Sequence, residues 1–180
     1  MATYVALLRA VNVGGRNLIG MSDLRELAAQ LRLDAPRTLL QSGNLVFTSV
    51  ARPTADLERL LESEAAARLG LETDVMVRRA ADWQAIIERN PFPREAKDDP
   101  SRLLVMVFKQ VPKPADVKAL RAAISGREVV EAVGAHAYLV YPGGIGRSRL
   151  TTALIERTLG TRGTGRNWNT VVKLAALAAS

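Results

Sequence analysis

The 180-residue chain contains no cysteine, which excludes disulfide bonds, thiol catalysis and cysteine-ligated zinc. It has one histidine, His136, so a histidine-rich metal site is excluded and a Ser-His-Asp triad has a single candidate base. No apolar run approaches the ~18 residues of a membrane-spanning helix. Residues Met1–Tyr4 lack the basic region and cleavage site of a signal peptide. We therefore expect a cytoplasmic protein without a metal, a cofactor or a membrane partner.

Aromatic residues are also scarce, at 4% of the chain. RNA-binding modules with a ferredoxin-like fold stack bases on aromatic residues of their two central strands and carry a Lys/Arg-Gly-Phe/Tyr-Gly/Ala-Phe signature. That signature is absent from this sequence. A base-stacking platform is therefore not expected, although a basic groove for a nucleic-acid backbone stays open.

Charge is distributed unevenly along the chain, whose formal net charge is +7. Acidic and basic residues balance over 1–90, and the whole excess falls in 91–180. Between 142 and 180 the only acid is Glu156, against six Arg and Lys residues. Such an asymmetry is typical of an anion-binding surface, and the alternative is a solvated basic surface that favours solubility.

The periodicity of the first half predicts the order βαββαβ. Helices are expected from Ser22, as the N-cap residue, and from Thr54, because apolar residues recur at helical spacing after each. A turn at 42–44 predicts a hairpin between two short strands. The predicted strands are 4–11, 37–41, 45–49 and 73–78, and a short helix is expected over 82–88.

The second half repeats this order after a segment, 90–101, that is rich in proline and charge. Strands are predicted at 103–108, 128–133, 136–141 and 162–165, with helices from Pro114, over 150–159 and at the C-terminal end. We therefore predict an α+β protein of two ferredoxin-like (βαββαβ) modules with antiparallel sheets, packed as one compact unit. The predicted modules are 1–90 and 102–180, and 91–101 is the linker.

Two polar segments of the first half are candidate ligand-binding elements. An arginine at the end of a buried strand, Arg9, needs a partner because burying an unpaired guanidinium is costly. Glycines after it permit positive φ and close approach of a ligand to the backbone. The alternative is an ordinary strand-to-helix connection and an ordinary turn. The candidates are Arg9, Asn12, Gly14, Gly15, Arg16, Gln41, Ser42 and Asn44.

The second half has a glycine-rich loop between a strand and a helix, residues 142–149. Glycine amides, a helix N-terminus and two arginines could form an anion cradle, although the spacing matches neither a Walker A loop nor a Rossmann fingerprint. The alternative is a tight loop with a helix cap. The candidates here, with a polar segment before the last helix, are Gly144, Gly146, Arg147, Ser148, Arg166, Asn167 and Asn169.

Five ordered segments together resemble a bacterial family, the domain of unknown function 1697. They are Leu7–Gly15, Gln41–Phe47, Asn90–Phe92, Tyr141–Ser148 and Arg166–Val171. The resemblance implies two ferredoxin-like halves and no established reaction, substrate or cofactor. Three residues depart from the pattern: Ala10 replaces an expected glycine, and Arg16 and Arg149 stand where lysine is common.

We expect the segments of both halves to meet in one basic polar cleft that binds a phosphate-bearing ligand, such as a nucleotide, a phosphometabolite or a nucleic-acid backbone. The arginines need acceptors, which would be the ligand anion, backbone carbonyls, or an acid from elsewhere such as Asp74 or Glu131. One alternative is a hydrolase or transferase with Ser42 or Ser148 as nucleophile, although the sequence offers no group that would activate either. Another is a structural or interaction module. The sequence leaves the oligomeric state open.

Overall fold

The computed structural model describes all 180 residues, Met1–Ser180. Contacts divide the chain into two units, Met1–Glu88 with Lys173–Ser180, and Arg89–Val172. Each unit contains one four-stranded antiparallel sheet with helices. The α+β class with antiparallel sheets is confirmed, and the predicted module and linker boundaries stay a prediction. None of the helices combines the length and hydropathy needed to cross a bilayer.

The first unit has the elements β1 (Ala2–Leu8), α1 (Met21–Gln30), β2 (Asp34–Leu39), β3 (Asn44–Ser49), α2 (Thr54–Leu69), β4 (Val75–Arg79) and α3 (Ala80–Glu88). The strand order is β2-β3-β1-β4, so β1 is central, between β3 and β4. Alternate residues of β1, Tyr4, Ala6 and Leu8, share a core with buried residues of α1 and α2. Val5 and Leu7, which point to the other face, are buried as well, so both faces of β1 are covered.

The second unit has the elements α4 (Pro93–Asp98), β5 (Leu103–Phe108), α5 (Pro114–Ala123), β6 (Val129–Val133), β7 (His136–Val140), α6 (Thr152–Leu159) and β8 (Gly163–Asn167). Its strand order is β6-β7-β5-β8, so β5 is central, between β7 and β8. The last helix, α7 (Trp168–Ala179), begins in this unit, and its residues from Lys173 onward belong to the first unit.

Helix ends follow the sequence signals at some positions and not at others. Pro114 stands in the first turn of α5, Gly70 ends α2 in the left-handed conformation, and Asn167 Oδ1 accepts from Thr170 N at 3.0 Å at the start of α7. Ser22 as the N-cap of α1 is wrong, because the helix begins at Met21 after an extended Gly20.

Candidate functional site

Asn12 fixes the loop that follows β1. Its Nδ2 donates to the carbonyl oxygens of Ile19 at 3.0 Å and Gln41 at 2.6 Å, and its Oδ1 accepts from Ile19 N at 2.8 Å. Asn12 itself is left-handed, with φ +54°, a conformation that asparagine tolerates better than most residues. The side chain thus closes the loop and ties it to the β2–β3 connection.

The tip of this loop is a two-residue turn at Gly14 and Gly15. Val13 and Arg16 form an antiparallel bridge across it, with Arg16 N donating to Val13 O at 3.1 Å. Both glycines have positive φ, +58° and +71°, which only glycine adopts without strain. The glycines and Arg16 are exposed, and the Arg16 guanidinium makes no hydrogen bond or ion pair. The turn therefore holds a cation and backbone amides in solvent.

The β2–β3 connection is fixed from inside by Asn44. This fully buried side chain donates from Nδ2 to Leu39 O at 2.8 Å and to Ser42 Oγ at 2.9 Å. Gly43 contributes through its backbone, because its carbonyl oxygen accepts a hydrogen bond from Leu8 N at 2.8 Å. A Cβ on Gly43 would lie 2.8 Å from Leu8 Cβ. Ser42, Gly43 and Asn44 therefore shape the connection and leave Gln41, which is exposed, as its outward polar group.

Arg9 lies beside an acid. Its NH1 is 4.0 Å from Asp74 Oδ2, and its backbone N donates to Asp74 O at 2.9 Å. Thr73 Oγ1 donates to Arg9 O at 2.7 Å. Of the two acids named above as possible acceptors, Asp74 thus faces Arg9, whereas Glu131 pairs with Arg121 at 3.2 Å.

These contacts bring both polar segments of the first unit to one end of its sheet. The Asn12–Gln41 hydrogen bond joins them directly, and the β1–β3 register places Leu7 opposite Asn44. Non-glycine residues at this end are left-handed at Ala10, Asn12, Asn17 and Leu40. Backbone strain of this kind concentrates where the surrounding structure enforces a geometry for function. The left-handed conformation at Ala10, with φ +53°, also explains why glycine suits that position.

The glycine-rich loop of the second unit is a turn followed by a short 3-10 helix. Gly144 N donates to Tyr141 O at 2.9 Å, and Ile145–Arg147 form the helix. Gly146 and Arg147 are exposed. The predicted start of α6 at Leu150 is wrong, because the helix begins at Thr152 and Thr151 Oγ1 already accepts from Leu154 N at 3.2 Å. That hydroxyl satisfies one of the N–H groups at the helix N-terminus, and the anion cradle stays a prediction.

Ser148 is hydrogen-bonded to a carboxylate that the sequence analysis missed. Its Oγ donates to Glu128 Oε1 at 2.6 Å and accepts from Leu150 N at 3.0 Å. The Ser148 hydrogen bond holds the pKa of Glu128 below its ordinary value. The two residues are twenty positions apart, on either side of the β6–β7 hairpin, so only the folded topology brings them together.

Arg166 is a buried strand residue of β8. Its NH1 donates to Thr164 Oγ1 at 2.7 Å and to Gly165 O at 2.9 Å, and burial lowers the pKa of its guanidinium to about 10. It therefore stays charged at neutral pH. Asn167 is the N-cap of α7, and Asn169 is exposed on the first turn of that helix. The predicted meeting of the segments of both halves in one cleft stays a prediction.

Two further acids that the sequence analysis missed lie on α2. Glu58 Oε1 accepts from Val77 N, and Glu62 Oε1 accepts from Val75 N, both at 2.8 Å. Glu58 is buried and lies 3.6 Å from Arg78 NH1, whose pKa burial lowers. Their position could have been inferred from the sequence, because Glu58 and Glu62 are four residues apart and each directly follows a core residue of α2, Leu57 or Leu61.

Comparison with solved structures finds a conserved bacterial protein from Streptococcus pneumoniae. It is 22% identical, with a TM-score of 0.78, and the match covers 98% of each chain. At that identity the likeness concerns the fold alone. A search of curated proteins gives no match.

Comparison with family models finds the family described as a protein of unknown function, DUF1697, over residues 1–138. The match includes both polar segments of the first unit, and the segments Tyr141–Ser148 and Arg166–Val171 lie beyond it. Because it covers well over half of the chain, the protein belongs to the DUF1697 family.

Proposed function

We propose that the protein binds a phosphate-bearing anion at the end of the first sheet where Arg9, Arg16 and Gln41 lie. One observation carries the proposal: the Asn12–Gln41 hydrogen bond, at 2.6 Å, holds an exposed glycine turn and the β2–β3 connection side by side. The Arg16 guanidinium and the Gln41 amide are exposed and make no hydrogen bond within the chain. Free cationic and amide donors next to exposed backbone N–H groups match the acceptors of a phosphate.

The other polar residues at this end have a positioning role in this proposal. Asn12, Ser42 and Asn44 use their side-chain groups within the protein. The ligand would be a nucleotide, a phosphometabolite or a nucleic-acid backbone in a cytoplasmic protein. The ferredoxin-like description of each sheet is also part of the proposal, supported by the strand orders β2-β3-β1-β4 and β6-β7-β5-β8.

Calorimetric titration with pyrophosphate as the probe tests the site. Arg16→Gln removes the exposed cation, and we expect about ten-fold weaker binding because a hydrogen bond to a charged group contributes roughly 1.5–3 kcal/mol. Arg32→Gln is the matched control, since Arg32 is also exposed in a loop of the first unit. Binding should weaken as salt rises, because the contacts are screened. An equal loss for both variants, or no binding at low salt, contradicts the proposal.

The Ser148–Glu128 hydrogen bond favours a second candidate function, a hydrolase or transferase that acts on a phosphate ester. Ser148 would be the nucleophile, and Glu128 would take its proton. Binding ranks above catalysis because the lowered pKa of Glu128 makes it a weak base. Hydrolysis of p-nitrophenyl phosphate that is lost in Ser148→Ala and kept in Ser125→Ala would reverse this order.

A further inference from the structure

β6 is an edge strand with an open side. It pairs with β7 alone, and the register places Val133 opposite His136 across the Gly134–Ala135 turn. In an antiparallel hairpin with a two-residue turn, the pair next to the turn is hydrogen-bonded within the hairpin. The backbone N–H and C=O groups of the residues before it therefore point alternately away from β7, to the open side, and toward β7. Val130 and Ala132 are these outward residues. A donor from α5, Arg121 Nε, reaches the Val130 carbonyl at 3.0 Å and thereby confirms the direction of that carbonyl.

α5 stands away from this edge. Its only fully buried residue is Leu120, and five residues connect it to β6, whereas three connect α1 to β2. Two cavities, of about 380 and 360 Å³, lie along the gap between α5 and β6, and Arg121 lines both. Arg121 is thus the one side chain that bridges the groove.

Apolar side chains from both the α5 side and the β6 side line the groove. Ile124 and Val130 line the first cavity, and Val117 and Ala132 line the second. Val111, at the outer end of the second cavity, is 66% exposed. Since Val130 and Ala132 belong to the core face of the sheet, a strand added beside β6 would direct its alternate side chains into these two cavities.

We propose that this groove binds an extended peptide segment of a partner protein, which adds to the second sheet as a fifth strand next to β6. The occupant's backbone would pair with the outward N–H and C=O groups of Val130 and Ala132. Apolar side chains at alternate positions would fill the cavities on either side of Arg121. This is strand addition at an exposed sheet edge, in which the backbone provides affinity and alternate pockets provide specificity.

Arg121 determines the charge of the occupant. When a peptide N–H takes the Val130 carbonyl, Arg121 Nε loses its acceptor, and the guanidinium keeps only the hydrogen bond from NH2 to Glu131 Oε2, at 3.2 Å. A carboxylate on the peptide would replace the lost acceptor, and Arg binds carboxylates with paired N–H donors. In the second cavity Arg121 is the only charged lining residue, whereas Glu128 and Glu131 also line the first. The groove therefore favours an apolar segment with one acidic residue that lies beside Arg121 towards the second cavity.

The test uses an acetylated and amidated peptide, Val-Thr-Glu-Thr-Val, whose valines and glutamate share one face of an extended strand. It is titrated into the isotope-labelled full chain and followed by NMR. We expect shifts at the amides of Val130 and Ala132 and a Kd of about 1 mM or tighter. The same peptide with proline at its centre cannot donate to the edge and should not bind. A peptide with glutamine for glutamate should bind about ten-fold more weakly than the original peptide to the natural chain. The two peptides should bind Arg121→Ala with equal affinity.

Two substitutions locate the site on the protein. Ala132→Pro removes an outward N–H, which an edge strand tolerates, and should abolish binding. Val111→Glu places a carboxylate at the second cavity and should weaken binding of the acidic peptide. Its matched control is Val50→Glu, because Val50 is equally exposed, at 64%, in the first unit.

The proposal is overturned if the peptide causes no shifts, if its shifts lie outside β6 and α5, or if the proline peptide binds as well. A dimer in sedimentation experiments that Ala132→Pro dissociates would also overturn it, because the edge would then bind a second copy of the chain.

Discussion

The two sheets repeat the same backbone connections with different side chains. Leu8 N, at the end of β1, donates to Gly43 O at 2.8 Å, and Phe108 N, at the end of β5, donates to Ala135 O at 2.8 Å. Each bond fixes the start of a hairpin strand beside the central strand. The backbone hydrogen bonds between strands therefore determine this architecture, because the donor and acceptor residues differ between the two sheets.

The next position along each central strand shows where the two sheets differ in charge. Arg9 N donates to Asp74 O, and Lys109 N donates to Arg162 O, both at 2.9 Å. The first pair has opposite charges and the second has like charges. The same backbone contact therefore combines an acid and a base in one sheet, and concentrates positive charge in the other.

The largest expected effect concerns the edge strand β4, which the first unit secures with carboxylates. Glu58→Ala leaves the buried Val77 N–H without its acceptor and removes the acid beside Arg78. We expect a loss of about 4 kcal/mol in the free energy of unfolding, because breaking a buried pair leaves an uncompensated charge. Urea unfolding, followed by the fluorescence of buried Trp83, measures it.

Glu62→Ala is the matched comparison, since it removes the acceptor of Val75 N from the same helix. Its expected cost is about 2 kcal/mol, the penalty of one unsatisfied donor. A larger loss for Glu62→Ala than for Glu58→Ala would show that the ion pair with Arg78 does not stabilise this edge.

A smaller effect is expected at the hairpin connection. Gly43→Ala combines a φ of +79° with a Cβ 2.6 Å from Val11 Cγ2, so we expect a loss of about 3 kcal/mol. Ala135→Gly, at the equivalent position of the second sheet, should change the free energy of unfolding by less than ~1 kcal/mol. Equal effects in thermal unfolding would contradict the comparison.

The smallest effect is a stabilisation at the residue after Arg9. Ala10 is left-handed, with φ +53°, and Ala10→Gly should raise the free energy of unfolding by about 0.5 kcal/mol because it relieves this strain. Gln110, which follows Lys109, has no positive φ, so Gln110→Gly should lower it by a similar amount. Shifts of the melting temperature in the same direction for both variants would contradict the explanation.

Periodicity and turn residues predicted the elements, because those signals depend on neighbours within a few positions. The two central strands followed from short apolar runs, and the hairpin at Gly43 followed from its turn residues. The segment 90–101 was predicted only as a linker, yet it contains α4, because a six-residue helix that begins at a proline has too few apolar positions for its period to be recognised.

The candidate site was predicted in part. The polar segments around Asn12 and Gln41 do lie together, but the sequence did not show that Asn12 and Asn44 use their side-chain groups internally. That depends on the register of β1 against β3. The partners Glu58, Glu62 and Glu128 were missed for the same reason, since each contacts a residue that only strand order brings near.

The division of the chain into two units determines the order in which the residues of each unit are completed during synthesis. The first unit includes Lys173–Ser180, and Arg37 NH1 donates to the carbonyl of Ser180 at 3.4 Å. On the ribosome these residues emerge only after the whole of Arg89–Val172 has been made. At about 5–20 residues per second, Lys173–Ser180 are synthesised several seconds after the strands of the first unit. By that time every residue of the second unit has been made. The unit whose synthesis starts first is therefore the one that is completed last.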